Sequence, residues 1–279
     1  MSGALLSSTQ AARRLGVTAA TVNRWADAGL LECARTAGRH RRFAPEVVDR
    51  FARAHASAAG RTAQPVEPGS LVDRLLDEPD HFALQAELLA QRARRGSWAR
   101  VADWVGGALE ELGDRWADGR IGVVEEHLAS ERLARALARC GEAIPVRRGG
   151  PRILLAVPEG EEHLLGLALV DVVLREGGWT PICSGRATPV GEVVRWLAAG
   201  AVEALALSAS VASQADHLAH QAALLGGACR GAGVALVAGG RGPWPDPFPC
   251  GKLVRSFEHL RPWMEAVEAG MGAGVSPPA

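Results

Sequence analysis

From residue 153 onward the chain alternates two apolar patterns, and this alternation constrains its fold more than any other feature. Short apolar runs at residues 153–157, 180–183, 204–208 and 234–238 are bounded by turn residues, and a shorter one lies near Leu253 and Val254. Between and after them, residues 162–175, 188–199, 214–230 and 257–269 carry helix-like patterns, with Thr188-Pro189 as an N-cap and first-turn pair. Runs this short read as buried strands, and regular alternation of strand and helix gives βαβ units. The expected class is an α/β Rossmann-like, flavodoxin-like domain with a doubly wound parallel sheet over residues 149–279.

In such a sheet a ligand lies outside the carboxyl ends of the strands. Three segments come to that edge: Glu161-Glu162-His163 with Gly166 after the first strand, Ser208-Ala209-Ser210 at the end of the third, and Gly239-Gly240 at the end of the fourth. A His on a loop can present its imidazole to a ligand, and a carboxylate at Glu161 can orient the ring and raise its basicity. Gly166 permits a close approach to the backbone. A lone His after a strand is as often structural, and a plain metabolite pocket fits the same pattern. Neither G-x-G-x-x-G nor a P-loop is present to support a nucleotide site.

Before the sheet, apolar residues from Leu71 to Ala143 recur at three and four positions. Turn signals at Pro79, Gly96-Ser97 and Asp118-Gly119 cut this region into about four helices, a small all-α bundle over residues 71–148. Trp116 stands just before the last of those turns; Val123, Glu126 and His127 follow it. Taken alone, such a Trp fills a core and a Glu-His pair sits on a solvated helix face.

Residues 1–60 differ from the rest in charge: nine Arg against four acids give +5 there, so the remainder carries −5 within a formal total of zero. A basic head on an acidic body points to a polyanion met by the head. Ser8 caps a helix to Leu15, and Thr18 caps a second to Ala28, the spacing of a helix-turn-helix whose second helix enters the major groove. Val22 and Trp25 face its core, while Thr21, Asn23 and Arg24 lie outside. Arg35, Arg39, His40, Arg41 and Arg42 surround Gly38 in a hairpin-like wing, where they would neutralise phosphates, and a further helix opens at Pro45. Asn23 and Arg24 are the candidates for reading bases of double-stranded operator DNA. Residues 61–70, with Pro65, Pro68 and Gly69, read as a linker.

Five scattered cysteines form no C-x-x-C pair, which points to reduced thiols in the cytoplasm. No apolar run approaches the length of a membrane span. Arg241 to Pro249, holding Trp244, Phe248 and four prolines, reads as a rigid loop over the pocket mouth or an oligomer contact; Cys250 beside it reads as an inert thiol.

Three stretches carry resemblances. Thr-Ala-Gly-Arg-His-Arg-Arg-Phe at 36–43, after the helix-turn-helix, is similar to MerR-type and excisionase-like winged helices. Trp116-x9-Glu126-His127 resembles the four-helix cap of cobalamin-binding modules, and the phrase from 116 to 130 resembles the CarH-type, B12-dependent photoreceptors most. Glu161-x-His163-x-x-Gly166, Ser208-x-Ser210 and Gly239-Gly240 are similar to the D-x-H-x-x-G, S-x-L and G-G signature of the cobalamin-binding Rossmann-like domain, with Glu161 in place of the Asp and Ser210 in place of the Leu. The resemblance implies that His163 is the lower axial ligand of cobalt, with Glu161 and Glu162 beside it. It implies that the detached nucleotide tail runs along Ser208, Ser210, Gly239 and Gly240, and that Trp116, Val123, Glu126 and His127 cover the upper face. The cofactor it implies is cobalamin, most often adenosylcobalamin. The function it implies is a light-responsive repressor, not an enzyme, acting as a homo-oligomer, tetramer or dimer, on operator DNA. One position departs from the pattern: Ala117 stands where CarH-type proteins commonly place a second His for cobalt. A regulator using another cobalamin form, a different tetrapyrrole such as bilin or haem, or no cofactor is the alternative. A corrinoid carrier protein is a third reading, against which the winged head argues.

Overall fold

The computed structural model describes residues 5–15, 22–23, 26, 31–35, 41–49, 51, 68–77, 80–145 and 147–272. The chain divides into two units, Met1–Pro65 and Val66–Ala279.

In the first unit, α1 (Ser8–Leu15) is capped one residue earlier than expected, by Ser7. Ser7 Oγ accepts from the Gln10 amide at 3.3 Å, and Gln10 Oε1 accepts from the Ser7 amide at 2.8 Å, a reciprocal cap. Ser8 is therefore free to donate its hydroxyl to Asn23 Oδ1 at 2.7 Å. Strands β1 (Ala34–Arg35) and β2 (Arg41–Arg42) pair antiparallel, with Ala34 opposite Arg42, which is the expected wing. Phe43 bridges back to Leu6 and is buried with Ala11, Ala12, Val22, Leu31 and Val48. Residues 45–49 are helical, as the Pro45 start requires. Most of the second helix, Trp25 and residues 52–67 with most of the linker lie outside the described residues.

In the second unit four helices come first: α2 (Pro68–Asp77), α3 (His81–Arg95), α4 (Trp98–Ala117) and α5 (Val123–Ala143). The breaks fall at the turn signals. Asp80 accepts from the Phe82 amide and Ser97 from the Arg100 amide as N-caps, and Gly96 closes α3 with φ +84°. Helix α2 begins at Pro68, inside the stretch read as linker, because Pro suits a first helical turn.

The α/β part follows: β3 (Arg152–Ala156), α6 (Leu165–Glu176), β4 (Thr180–Cys183), α7 (Val190–Ala198), β5 (Ala204–Ala209), α8 (Ala215–Ala232), β6 (Ala235–Gly240), β7 (Lys252–Leu253), a 3₁₀ turn at Phe257–His259 and α9 (Leu260–Gly272). The sheet order is β4-β3-β5-β6-β7 and every pairing is parallel. That order is the flavodoxin-like doubly wound one, with its switch point between β3 and β5. Helix α6 starts three residues later than its pattern predicts, because Glu161 and His163 spend their hydrogen bonds inside the loop. Thr188 is not a cap: Pro189 occupies that place before α7, and the Thr188 hydroxyl donates to the Ser184 carbonyl at 3.0 Å.

One apolar core runs through the bundle and the sheet, joining Leu133, Leu137 and Cys140 of α5 to Leu167, Leu169 and Val172 of α6 and to Ile153 and Leu155 of β3. Polar links reinforce it. Asp103 of α4 accepts from the Ser256 hydroxyl and the Phe257 amide, both at 2.8 Å, and Glu176 at the end of α6 accepts from Arg92 Nε and the Trp98 amide. The bundle thus stands fixed against the α/β part. A second core fills the other face of the sheet, under α7 and α8. Trp244 belongs to it: the ring is buried, donates to the Gly239 carbonyl at 2.7 Å and meets Phe248 edge-on, so the Pro-rich loop is anchored through Trp244 in the core.

Candidate cofactor site

The site is built on the β3–α6 loop, at the carboxyl edge beside the switch point. Glu161 is buried there, 5 % exposed. Its Oε1 accepts from the His163 amide at 2.9 Å and lies 2.6 Å from His163 Nδ1. Its Oε2 accepts from the Ser210 amide at 2.9 Å, the Ser210 hydroxyl at 2.8 Å and the Ser213 hydroxyl at 2.6 Å. Burial opposes the charge, but the hydrogen bonds from His163, Ser213 and Ser210 outweigh it and hold the carboxyl well below the usual carboxylate range.

A carboxylate so placed fixes the tautomer of its neighbour. With Nδ1–H donated to Glu161, the neutral imidazole of His163 keeps its lone pair on Nε2, and its side chain is 63 % exposed. The bond to Glu161 also lifts the His163 pKa above its ordinary value, against the effect of burial. Charges on Glu161 and on Glu126 of α5 add to the rise, and Arg186 after β4 opposes it. Glu126 lies in the first turn of α5, so this part of the rise comes from the bundle end.

The bundle end is apolar and open. Trp116, Val123, Val124 and Leu128 are 51 %, 52 %, 70 % and 48 % exposed, so Trp116 is a surface residue and not core filling. The Asp118–Gly122 turn between them leaves Ala117 exposed as well. Glu126 is partly buried and accepts from the Ser130 hydroxyl at 2.6 Å; His127 Nε2 lies 3.6 Å from its other oxygen and is exposed. On the sheet side, Glu162 is exposed and Ser208 is buried. A Cβ on Gly166 would lie 2.3 Å from Ser208 Oγ, so this glycine serves the packing of α6 on β5. Gly240 has φ +82°, and a Cβ there would meet the Ala209 carbonyl at 2.3 Å.

Sequence reasoning missed Ser213, Arg186, Gln221 and the exposed Val124, Leu128 and Val211. Ser213 lies 52 residues from the carboxylate it binds, and no spacing announces such a partner. In the head, Arg41 and Arg42 are partly buried on β2, and Asn23 shares its oxygen with Ser8. Thr21, Arg24, Arg39 and His40, and the Arg35 side chain, lie outside the described residues.

Residues 5–56 match the helix-turn-helix domain family, and residues 85–140 match the B12 binding domain family. The chain joins a helix-turn-helix domain to a B12 binding domain. Among curated relatives it is similar to the HTH-type transcriptional repressor CarA of Myxococcus xanthus, 26 % identical over 200 residues that span 64 % of this chain and 67 % of that protein. It is 32 % identical to the HTH-type transcriptional repressor CarH of the same organism over 87 residues, 31 % of this chain and 29 % of that one. The helix-turn-helix match covers both wing strands, and the B12 binding match covers Trp116, Glu126 and His127. In fold it is similar to the monomethylamine corrinoid protein of Methanosarcina barkeri, with a TM-score of 0.51 and 17 % identity over 71 % of this chain and 96 % of that one. No helix among the described residues is long and apolar enough to cross a membrane.

Proposed function

We propose that the chain is a transcriptional repressor whose body binds cobalamin through His163 and whose winged head binds operator DNA. The observation that carries this reading is the buried Glu161 carboxylate, which leaves the lone pair of the exposed His163 imidazole on Nε2; the bundle carries an exposed apolar strip. Among the described residues, no three His, Cys, Asp or Glu side chains gather as they would around a bare ion. A single imidazole suits a metal that brings its other ligands in a macrocycle, and flat apolar surface at Trp116, Val123, Val124 and Leu128 suits the face of such a ring. Cobalamin supplies a cobalt–carbon bond that light can break. Trp116, Val123, Val124 and Leu128 would hold the ring and exclude water, and Glu161 would orient the His163 imidazole toward the metal.

The form favoured by the resemblance at 116–130 is adenosylcobalamin, with light as the signal and a homo-oligomer as the DNA-binding state. Several heads on one assembly raise the effective concentration at adjacent sites, and separation removes that avidity. Ala117 offers no nitrogen at the position where CarH-type proteins commonly place a second His, so a bis-histidine product of the usual kind is not expected. The test is operator affinity and solution mass with adenosylcobalamin, in the dark and after green light. The reading expects both to fall on illumination; equal affinity and equal mass in the two conditions would remove light from the account.

A further inference from the structure

Two residues of α8, outside every motif considered so far, grip the loop that carries His163. Gln221 is a buried amide, 3 % exposed, and its Oε1 accepts from the Glu159 amide at 3.0 Å. A backbone N–H only donates, so this bond fixes Gln221 Oε1 toward Glu159. His217 Nε2 lies 2.5 Å from the Glu159 carbonyl, which only accepts; the proton of this imidazole is therefore on Nε2. Side chains one helical turn apart thus hold one peptide residue at both its N–H and its C=O. The Glu159 carboxylate in turn accepts from the Val190 amide at the start of α7, at 3.3 Å. Two residues further on, Glu161 is fastened to the end of β5 through Ser210 and Ser213.

We propose that Gln221 and His217 are positioning residues for cofactor binding: their grip on Glu159 holds the 157–164 loop in its binding geometry before the cofactor arrives. The proposal rests on the cobalamin reading of His163. Its physical basis is preorganisation. A loop with free ends has to be ordered when its ligand binds, and the cost appears as lost affinity. Here the order is provided by α8, whose own place is set by the buried Leu218, Ala222 and Leu225. Removing the Gln221 amide takes that acceptor from the Glu159 N–H and frees the loop at its first half, while the Glu161 bonds still hold its second half.

The test uses the full chain and four proteins: wild type, Gln221→Leu, Gln221→Glu and His217→Ala. The Glu variant keeps an acceptor for the Glu159 amide and offers a second oxygen to His217; the Ala change is at an exposed side chain and leaves the core intact. Two quantities are read, amide hydrogen exchange over 157–164 and the dissociation constant for hydroxocobalamin. The clamp predicts exchange about tenfold faster in Gln221→Leu and His217→Ala, with β3 and β5 amides unchanged, and a dissociation constant weaker by about tenfold. It predicts near wild-type values of both for Gln221→Glu. Wild-type exchange in the Leu variant, equal behaviour of the Leu and Glu variants, or faster exchange with an unchanged dissociation constant would each overturn it. If wild type takes up no hydroxocobalamin, the cobalamin reading fails, and the exchange ratios still decide the clamp by themselves.

Discussion

Glu161 decides which nitrogen of His163 keeps its lone pair, and it does so from a buried position with donors on both oxygens. Changing it to Gln keeps the size but removes the charge that holds Nδ1–H. Glu161→Gln is expected to weaken cobalamin binding by about 10- to 100-fold, read by spectral titration, with the protein still folded. The pair also sets a pH dependence. The raised His163 value means that the imidazolium–carboxylate pair favours the unliganded fold at low pH, a contribution lost as pH rises through that value. Glu161, being lowered, contributes above the ordinary carboxylate range and loses its contribution only in stronger acid. Cobalt needs the Nε2 lone pair, so below the His163 value binding must expel a proton. Affinity is therefore expected to increase as pH rises through the raised His163 value; a flat profile would argue against imidazole ligation. At this scale His163, Glu161 and Ser210 were legible because each follows a strand in sequence. Ser213, His217 and Gln221 were not, since their bonds cross about fifty to sixty residues and leave no local pattern.

The α4–α5 turn is exposed along residues 116–125 except at Ile121. Along α4, Asp103 and Trp98 are tied to the α/β part, and Arg241 pairs with Glu110, whereas Trp116 at its end is exposed. A half-exposed ring contributes little to folding, so Trp116→Ala is expected to change the melting temperature by no more than about 2 °C. The same change should weaken cobalamin binding clearly, since the apolar strip would lose its largest member. A lowered melting temperature with unchanged cofactor affinity would make Trp116 structural instead. Element boundaries were readable where punctuation exists: Gly96-Ser97 and Asp118-Gly119 end or begin helices as their chemistry dictates, while Pro79 lies outside the described residues. They were misread at Ser8, Thr188 and the start of α6, where a neighbouring residue, Ser7 or Pro189, takes the cap position or loop hydrogen bonds outcompete helix propensity.

At the scale of the whole molecule, a +5 head is joined to a −5 body, and the body shares one core between its bundle and its sheet. A ligand that binds both Trp116 and His163 therefore acts on a single packed unit. The head's charge implies an affinity for duplex that falls steeply with salt. Charge asymmetry and the switch from helical to alternating periodicity made this division legible in the sequence. The shared core was not legible, because nothing in α5 or α6 alone says that their apolar faces meet. The most direct test of the account measures affinity for a duplex selected by the wild-type chain, in the dark, with and without adenosylcobalamin, for wild type and His163→Ala. The account predicts that the cofactor tightens DNA binding by wild type and leaves His163→Ala unchanged. An equal response of the two proteins, or none in wild type, would contradict it.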